Sequence, residues 1–432
     1  MCAAGPFRDD AAMAVAVSGG ADSITLLALA YAWAAETGTN LTALTVDHGL
    51  RSESGAEAAQ VAAWCVSHGI AHQTLVWAGE KPNKGIQAAA RSARYGLLED
   101  WCRMRSHSEL LVAHSQNDQA ETFLMRMSRG SGIDGLAAMP LVSHRDGVRL
   151  IRPLLTVPRS RIEATAAALS LEPISDPSNL DRRYARIRIR DKLALLEAHR
   201  VSVTAIAGTA RVFGKMREAR ERAISALASE FVVLHAEGFA EIAREGLAAA
   251  DRASARGLVA SILMSVGGLD YPPRRERLDR LMSNILQNSG FRPRTLGNCV
   301  ISTRGEDFLV RREHRTVRQV ISAESGLSVV WDGRFAIKFA PGFSTSDAGY
   351  RLAALGENGW RHIVSVSDRE KLSGPRKIPG PVRYALPAIW QGEKVVEVPH
   401  LRYKSDQVIE TYIKKAEFRP QSLLMGYPFW VV

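Results

Sequence analysis

The densest chemistry in this 432-residue chain lies near its start, in Ser18-Gly19-Gly20-Ala21-Asp22-Ser23. An apolar run of strand length, residues 11–17, leads into it, and a helix-like stretch, residues 23–36, leads out. Gly19 and Gly20 have no Cβ, so successive backbone amides can close on an anion. A helix starting there adds unpaired N–H groups and about half a positive charge. Ser18 and Ser23 supply hydroxyl donors. Asp22 is the odd member, because a carboxylate beside a phosphate repels it unless a metal lies between. Asp22 is therefore the expected Mg²⁺ ligand. No Gly-Lys-Ser/Thr follows, so this is not a Walker A loop. A plain helix cap at Asp22 or Ser23 is the competing reading, but a cap alone does not require two glycines after a strand.

Three further pairs have the spacing of a site. Asp47 and His48 end a second strand, where ligands of parallel sheets gather, and are expected near a nucleoside. Arg91 and Arg94 lie three apart on one helix face, in reach of phosphates, with surface ion pairing as the alternative. Asp118 and Glu121 are also three apart on a helix, which puts both carboxylates on one face. An ion pair between Glu121 and Arg126 or another neighbour is the plainer account. His114 is weighed evenly between the site and a structural role.

Elements in a particular order must carry these groups. Strand-like runs at 11–17, 41–46, 72–77 and 110–113 alternate with helix-like stretches at 23–36, 53–68, 87–104 and 118–129. That order predicts an α/β fold: a doubly wound parallel sheet with right-handed crossovers. From about residue 201 the spacing of Phe213, Met216, Ile224, Leu227, Phe231 and Leu234 predicts one apolar helix face. Residues 294–312 read as a short hairpin, and from Gly326 onward strand-like pieces mix with Gly and Pro. Three domains are expected: 1–198, 199–322 (mainly helical) and 323–432 (a small α+β domain).

Taken together, the motifs resemble a known family. The Ser-Gly-Gly-x-Asp-Ser run resembles the loop of the PP-loop ATP pyrophosphatase superfamily. Asp47-His48-Gly49-Leu50-Arg51, Gly85 to Tyr95, His114 to Thr122, Gly130 to Leu136, Arg152-Pro153-Leu154-Leu155 and Asp176-Pro177-Ser178-Asn179 narrow the likeness. In that order they look like the tRNA(Ile)-lysidine synthetase family over roughly residues 10–195. The resemblance implies a ligase that uses ATP and Mg²⁺ to adenylate O2 of the wobble cytidine in a CAU anticodon. Free lysine then displaces AMP from C2. It implies Ser18 to Ser23, Asp47, His48, Arg91 and Arg94 at the nucleotide, with Asp22, Asp118 and Glu121 at the chemistry. The sequence departs from the family pattern at Gln87, Ser115, Asn117 and Ile187, where Glu, His, Asp and Asn are usual. Gly130-x-Gly132-x-x-Gly135 spells a dinucleotide fingerprint but follows a helix, so it reads as a backbone loop near the nucleotide or base.

Charge locates the partner. Lys plus Arg number 56 and Asp plus Glu 45, a net +11. Residues 1–180 hold 15 against 18, a net −3, while residues 181–432 hold 41 against 27, a net +14. Arg183, Arg186, Arg188 and Arg190 form one cluster, Arg274 and Arg275 part of another. Both are expected to meet RNA phosphates. Four cysteines without a C-x-x-C pair argue against a disulfide scaffold, a zinc site or a thiolase chemistry. No apolar run approaches a membrane span and no basic n-region opens the chain, so a cytoplasmic protein without membrane contact is expected. A homodimer stays open as the assembly. The rival readings are a tRNA thiolation enzyme of the same superfamily and a non-catalytic RNA-binding relative.

Overall fold

The computed structural model describes residues 4–5, 7, 12–79, 81–82, 85–145, 147–174, 185–287, 290–342, 349–367, 378–405, 411–424 and 431. The chain divides into two compact units, Met1–Ala219 with Tyr427–Val432, and Arg220–Gly426.

The first unit runs β1 (Met13–Ala16), α1 (Ala21–Thr37), β2 (Leu41–Asp47), α2 (Ser54–Ser67), β3 (Ala71–Val76), α3 (Ile86–Met104), β4 (Glu109–Leu111) and α4 (Gln116–Met127). Then come α5 (Ile133–Leu136), β5 (Val142–Arg145), β6 (Val148–Ile151), α6 (Arg159–Ala168), α7 (Ala185–Ala198) and the start of α8 (Val203–Phe231). The sheet order is β3-β2-β1-β4-β6-β5. All neighbours pair in parallel except β5, which returns antiparallel to β6. The chain builds outward from β1 to β3, then crosses to β4 on the other side. A crevice therefore opens between β1 and β4 at their carboxyl ends.

The pleat sorts the core into two layers. Met13, Val15 and Val17 point to the side covered by α1, α2 and α6, against Ile24, Leu27, Val61 and Ile162. Ala14, with Leu44, Leu110 and Leu150, points to the other side, against Leu98 and Trp101 of α3. Burial on both faces explains why these strands read as apolar runs without alternation. A third cluster joins Phe123 of α4, Leu193 of α7 and Ile206 of α8. It fixes α7 against α4.

The second unit holds the rest of α8 and a five-stranded antiparallel sheet. Its elements are β7 (Val232–His235), β8 (Phe239–Ile242), α9 (Arg244–Ala249), α10 (Arg252–Gly267), α11 (Arg275–Gln287), β9 (Arg294–Leu296), β10 (Cys299–Arg304) and β11 (Asp307–Arg312). The order is β7-β8-β11-β10-β9, so residues 294–312, expected as a short hairpin, supply three strands at one end of that sheet. The helix expected through Leu234 ends at Phe231, and Leu234 lies in β7. Ile262, Met282 and Phe308 belong to one core there. A second core gathers Trp331, Phe335, Leu352, Ile363 and Trp390. Around it lie β12 (Ile321–Ser322), β13 (Ser328–Trp331), β14 (Phe335–Phe339), β15 (Tyr350–Ala354), α12 (Gly356–Val366), α13 (Gly380–Arg383), β16 (Pro387–Gln391), β17 (Lys394–Val398), β18 (Tyr403–Lys404) and β19 (Ile413–Phe418). No helix among the described residues is long and apolar enough to cross a membrane.

Candidate active site

A cleft of about 370 Å³ opens at the crevice predicted by the strand order. The end of β1 and the start of α1 form its floor, with His48 after β2, Arg91 and Arg94 on α3, His114 and Asp118 around the start of α4, and Arg159 and Arg190 on α6 and α7.

The glycine loop is built as its composition demands. Gly19 has φ +83°, and a Cβ there would stand 2.6 Å from Ile174 Cδ1. The Ile174 amide donates to the Gly19 carbonyl (2.9 Å), tying the loop to the segment after α6. Ser23 differs from its expected role. Its hydroxyl donates to the Gly20 carbonyl (2.9 Å) and its Oγ accepts from the Ser18 amide (3.1 Å). It therefore braces the loop from inside, and Ser18 is the exposed hydroxyl. Gly20 caps α1 without a side-chain bond, and the Ala21 and Asp22 amides have no partner among the described residues. Those amides, at a helix N-terminus, are what an anion would meet.

Asp22 sits in this wall with its Oδ1 buried and without a hydrogen-bond partner among the described residues. Burial raises its pKa, and the Asp118 charge raises it further. A buried carboxylate oxygen with nothing to accept from fits a cation. Among the described residues no three acidic, His or Cys side chains cluster as a metal cage. That donor set suits Mg²⁺, which is held by one or two carboxylates plus waters and phosphates.

Asp118 and Glu121 point into a different arrangement from the one sequence spacing suggests. Asp118 Oδ2 accepts from the amide and hydroxyl of Ser115 (2.9 and 3.1 Å), closing a capping box on α4. Its Oδ1 accepts from Arg186 Nη2 (2.8 Å). Glu121 is 1% exposed, with Oε2 on Arg186 Nε (2.8 Å) and Oε1 on Arg190 Nε (2.9 Å). Arg126 is not its partner: Arg126 donates to the Gly135 and Ala138 carbonyls. Arg186 and Arg190, expected to face RNA, thus lie on the site's carboxylates. Arg188 is exposed on the same helix, and Arg183 falls outside the described residues. Arg274 and Arg275 are exposed at the start of α11, Arg275 reaching Asp279 at 3.6 Å.

On the α3 side, Arg94 donates to His48 Nε2 from Nη2 (3.0 Å) and Nε (3.3 Å). A guanidinium only donates, so His48 Nε2 is unprotonated. Arg91 lies 5.1 Å over the Tyr95 ring. Asp47 does not line the cleft. Its Oδ1 accepts from the Gly49 amide (2.9 Å) and Ser54 hydroxyl (2.6 Å), which lowers its pKa and fixes the turn that carries His48. His114 Nδ1 is buried without a partner among the described residues, and burial holds its ring neutral. The Gly130–Gly135 run connects α4 to α5 and lines none of the cleft, contrary to its expected place at the nucleotide or base.

The family follows from comparison with known proteins. A PP-loop domain model matches residues 3–197. The tRNA(Ile)-lysidine synthase of Ruegeria pomeroyi is 34% identical, over 90% of this chain and 88% of its own. That of Rhodopseudomonas palustris is 39% identical, over 69% of this chain and 90% of its own. That of Wolbachia pipientis wMel is 34% identical, over 90% and 89%. The chain belongs to the tRNA(Ile)-lysidine synthase family.

Membership in the lysidine synthase family puts the four departures in context. Ser115 and Asn117 both do helix-end work. Ser115 closes the capping box, and Asn117 Oδ1 accepts the Arg159 amide (3.2 Å) at the start of α6. Gln87 is exposed on α3, and neither it, Asn117 nor Ile187 lines the cleft. Sequence reasoning missed Tyr95, Arg159 and the siting of Arg190. Arg159 had one visible signal, since it lies seven residues past Arg152 and opens a helix with Glu163 four residues on.

Proposed function

We propose that this protein ligates free lysine to C2 of the wobble cytidine of tRNA(Ile) bearing a CAU anticodon, consuming ATP and releasing AMP and pyrophosphate. The observation that carries the reading is one cleft in which a helix-start anion loop, a buried Asp22 oxygen without a partner among the described residues and the Asp118 carboxylate meet. The chemical obstacle is that a ring-conjugated oxygen leaves poorly. Transfer of AMP to O2 makes it a good leaving group. The bond between the α phosphorus and the bridging oxygen breaks, and pyrophosphate keeps the electron pair. Lysine nitrogen then bonds to C2, and AMP departs with the former O2.

Each step asks something of this chain's own residues. The Ala21 and Asp22 amides and Ser18 would bind the departing phosphates from the loop side. Arg91 and Arg94, held by Tyr95 and His48, would bind from the α3 side. Asp22 would hold Mg²⁺, which when bound neutralises charge on the phosphates. Asp118 in the cleft wall, with Glu121 buried behind it on the same helix, would supply the negative charge that a lysine ammonium would seek. Each of their oxygens already accepts a hydrogen bond, and arginines offset their charge. The His114 ring also lines the cleft, but its Nδ1 is buried and burial makes it a weak base, so the ammonium proton would fall to the Asp118 carboxylate.

The basic residues outside the cleft, Arg188, Arg274 and Arg275 among them, would hold RNA phosphate. Three functional parts, 1–198 for chemistry and 199–322 and 323–432 for tRNA, fit the two separate cores of the second unit. Incorporation of radiolabelled lysine into a CAU-bearing tRNA(Ile) transcript, dependent on ATP, is the deciding measurement. Asp22→Ala should abolish AMP release while leaving tRNA affinity unchanged. Lysidine formation by that variant would overturn the loop assignment.

A further inference from the structure

We infer that Arg159 is a pyrophosphate-holding residue, gripping the β and γ phosphates of ATP from the α1 side of the cleft. The inference rests on the ATP reading above and adds to it a residue that neither the motif spacing nor the loop supplies.

Topology comes first. The sheet separates two faces, with α3 packed on one and α1 and α6 on the other. Arg91 and Arg94 therefore enter the cleft from one side, and Arg159 enters from the side where the glycine loop begins α1. A triphosphate laid along the crevice, with its leaving end on the loop, meets Arg159 from the side opposite Arg91 and Arg94.

Charge comes second. The leaving group gathers several negative charges as its bond breaks, next to Asp22 and Asp118 in the cleft wall. The loop answers mainly with neutral donors, since the Ser23 hydroxyl is spent on Gly20. Arg190 also lines the cleft, but its Nε is on Glu121. Arg159 is close enough to Asp22 for each to feel the other's charge.

Placement comes third. Arg159 Nε donates to Glu163 Oε1 (2.8 Å), one helical turn on. Its backbone amide donates to Asn117 Oδ1 (3.2 Å), tying the start of α6 to α4. The residue is thus anchored at both ends of its side chain's stem. Its two terminal nitrogens have no partner among the described residues and keep the forked geometry that matches phosphate.

The test separates the two ends of ATP by titrating wild-type protein, Arg159→Met, Arg159→Lys and Glu163→Gln with magnesium pyrophosphate and, separately, with AMP. Arg159→Met should weaken pyrophosphate binding about 10- to 100-fold and leave AMP within about twofold, as loss of charged hydrogen bonds at one end would. Arg159→Lys, which keeps the charge and loses the fork, should fall between, and Glu163→Gln should give a smaller loss of the same selectivity. Equal weakening of both ligands, or unchanged pyrophosphate binding in Arg159→Met, overturns the inference. Wild-type protein that binds neither ligand would instead sink the ATP reading, so the two failures are distinct.

Discussion

Glu121 is nearly inaccessible and carries an arginine on each oxygen, so it holds α7 against α4, and one of those arginines, Arg190, lines the cleft. Removing its charge leaves Arg186 and Arg190 without their common partner. Both guanidinium groups keep 36–42% of their side-chain surface, so water makes up part of the loss. Glu121→Gln should therefore destabilise the protein by about 1–3 kcal/mol, less than a fully buried pair would. Urea denaturation without any ligand measures this; a shift under about 0.5 kcal/mol would mean that the ion pairs are weak. The residue types of this site were legible from sequence, because a carboxylate pair three apart on a helix is a local pattern. Their partners were not. Arg186 lies 65 residues from Glu121 and meets it only through the packing of α7 on α4. The arginine cluster therefore read as an RNA surface, whereas Arg186 and Arg190 are bound to the carboxylates of α4.

Two turns, at the ends of β1 and β2, aim the nucleotide-side groups, and each has one residue that cannot be exchanged freely. Gly19→Ala would force a Cβ at φ +83° and into contact with Ile174, at a strain cost of about 1–3 kcal/mol. Because the strain falls on the loop, ATP affinity should drop further than stability, and nucleotide titration beside a melting curve tells the two apart. Asp47 does comparable work through charge. Its pKa is lowered in the fold by Ser54 and the Gly49 amide, so its ionised form stabilises. That contribution is present above the ordinary carboxylate pKa and is lost as pH falls through the lowered one. Asp47→Asn should therefore lose a roughly constant ~1 kcal/mol from pH 7 down to about 5, with the gap to wild type closing only below about pH 4. A gap that closes between pH 7 and 5 would place the effect on another group. At this scale the β-α order was legible, since strands buried on both faces leave unbroken apolar runs. The short β5, β7 and β9 were not. Four residues or fewer give too little alternation to read a period from, although each pairs with the strand that follows it directly in the chain.

Across the whole molecule, cysteine and arginine placement separates this chemistry from its rivals. Cys65, Cys102 and Cys299 are buried, and burial pushes their thiols up to about 11, 12 and 12. None lines the cleft, so none is placed to carry sulfur as a thiolation enzyme would need. With Cys2 the remaining thiol, Ellman's reagent at pH 8 should find at most one of the four before denaturation and all four after. Two or more fast thiols in the folded protein would reopen the thiolation reading. The charge asymmetry makes the last prediction. Phosphate contacts release counterions, so each arginine that truly meets RNA adds about 0.7 to 0.9 to the log–log salt slope of binding. Arg274 and Arg275 are exposed, and among the described residues Arg275 has one long ion pair, to Asp279 at 3.6 Å. Arg186 and Arg190 are already on carboxylates and have little charge left to give. Replacing Arg274 and Arg275 together with Ser should lower the slope of tRNA binding by about 1.4 to 1.8. Replacing Arg190 with Ser should leave that slope unchanged while it damages lysine incorporation. The reverse pattern would mean that α7 gives its arginines to RNA after all, and that the carboxylates are freed when tRNA binds.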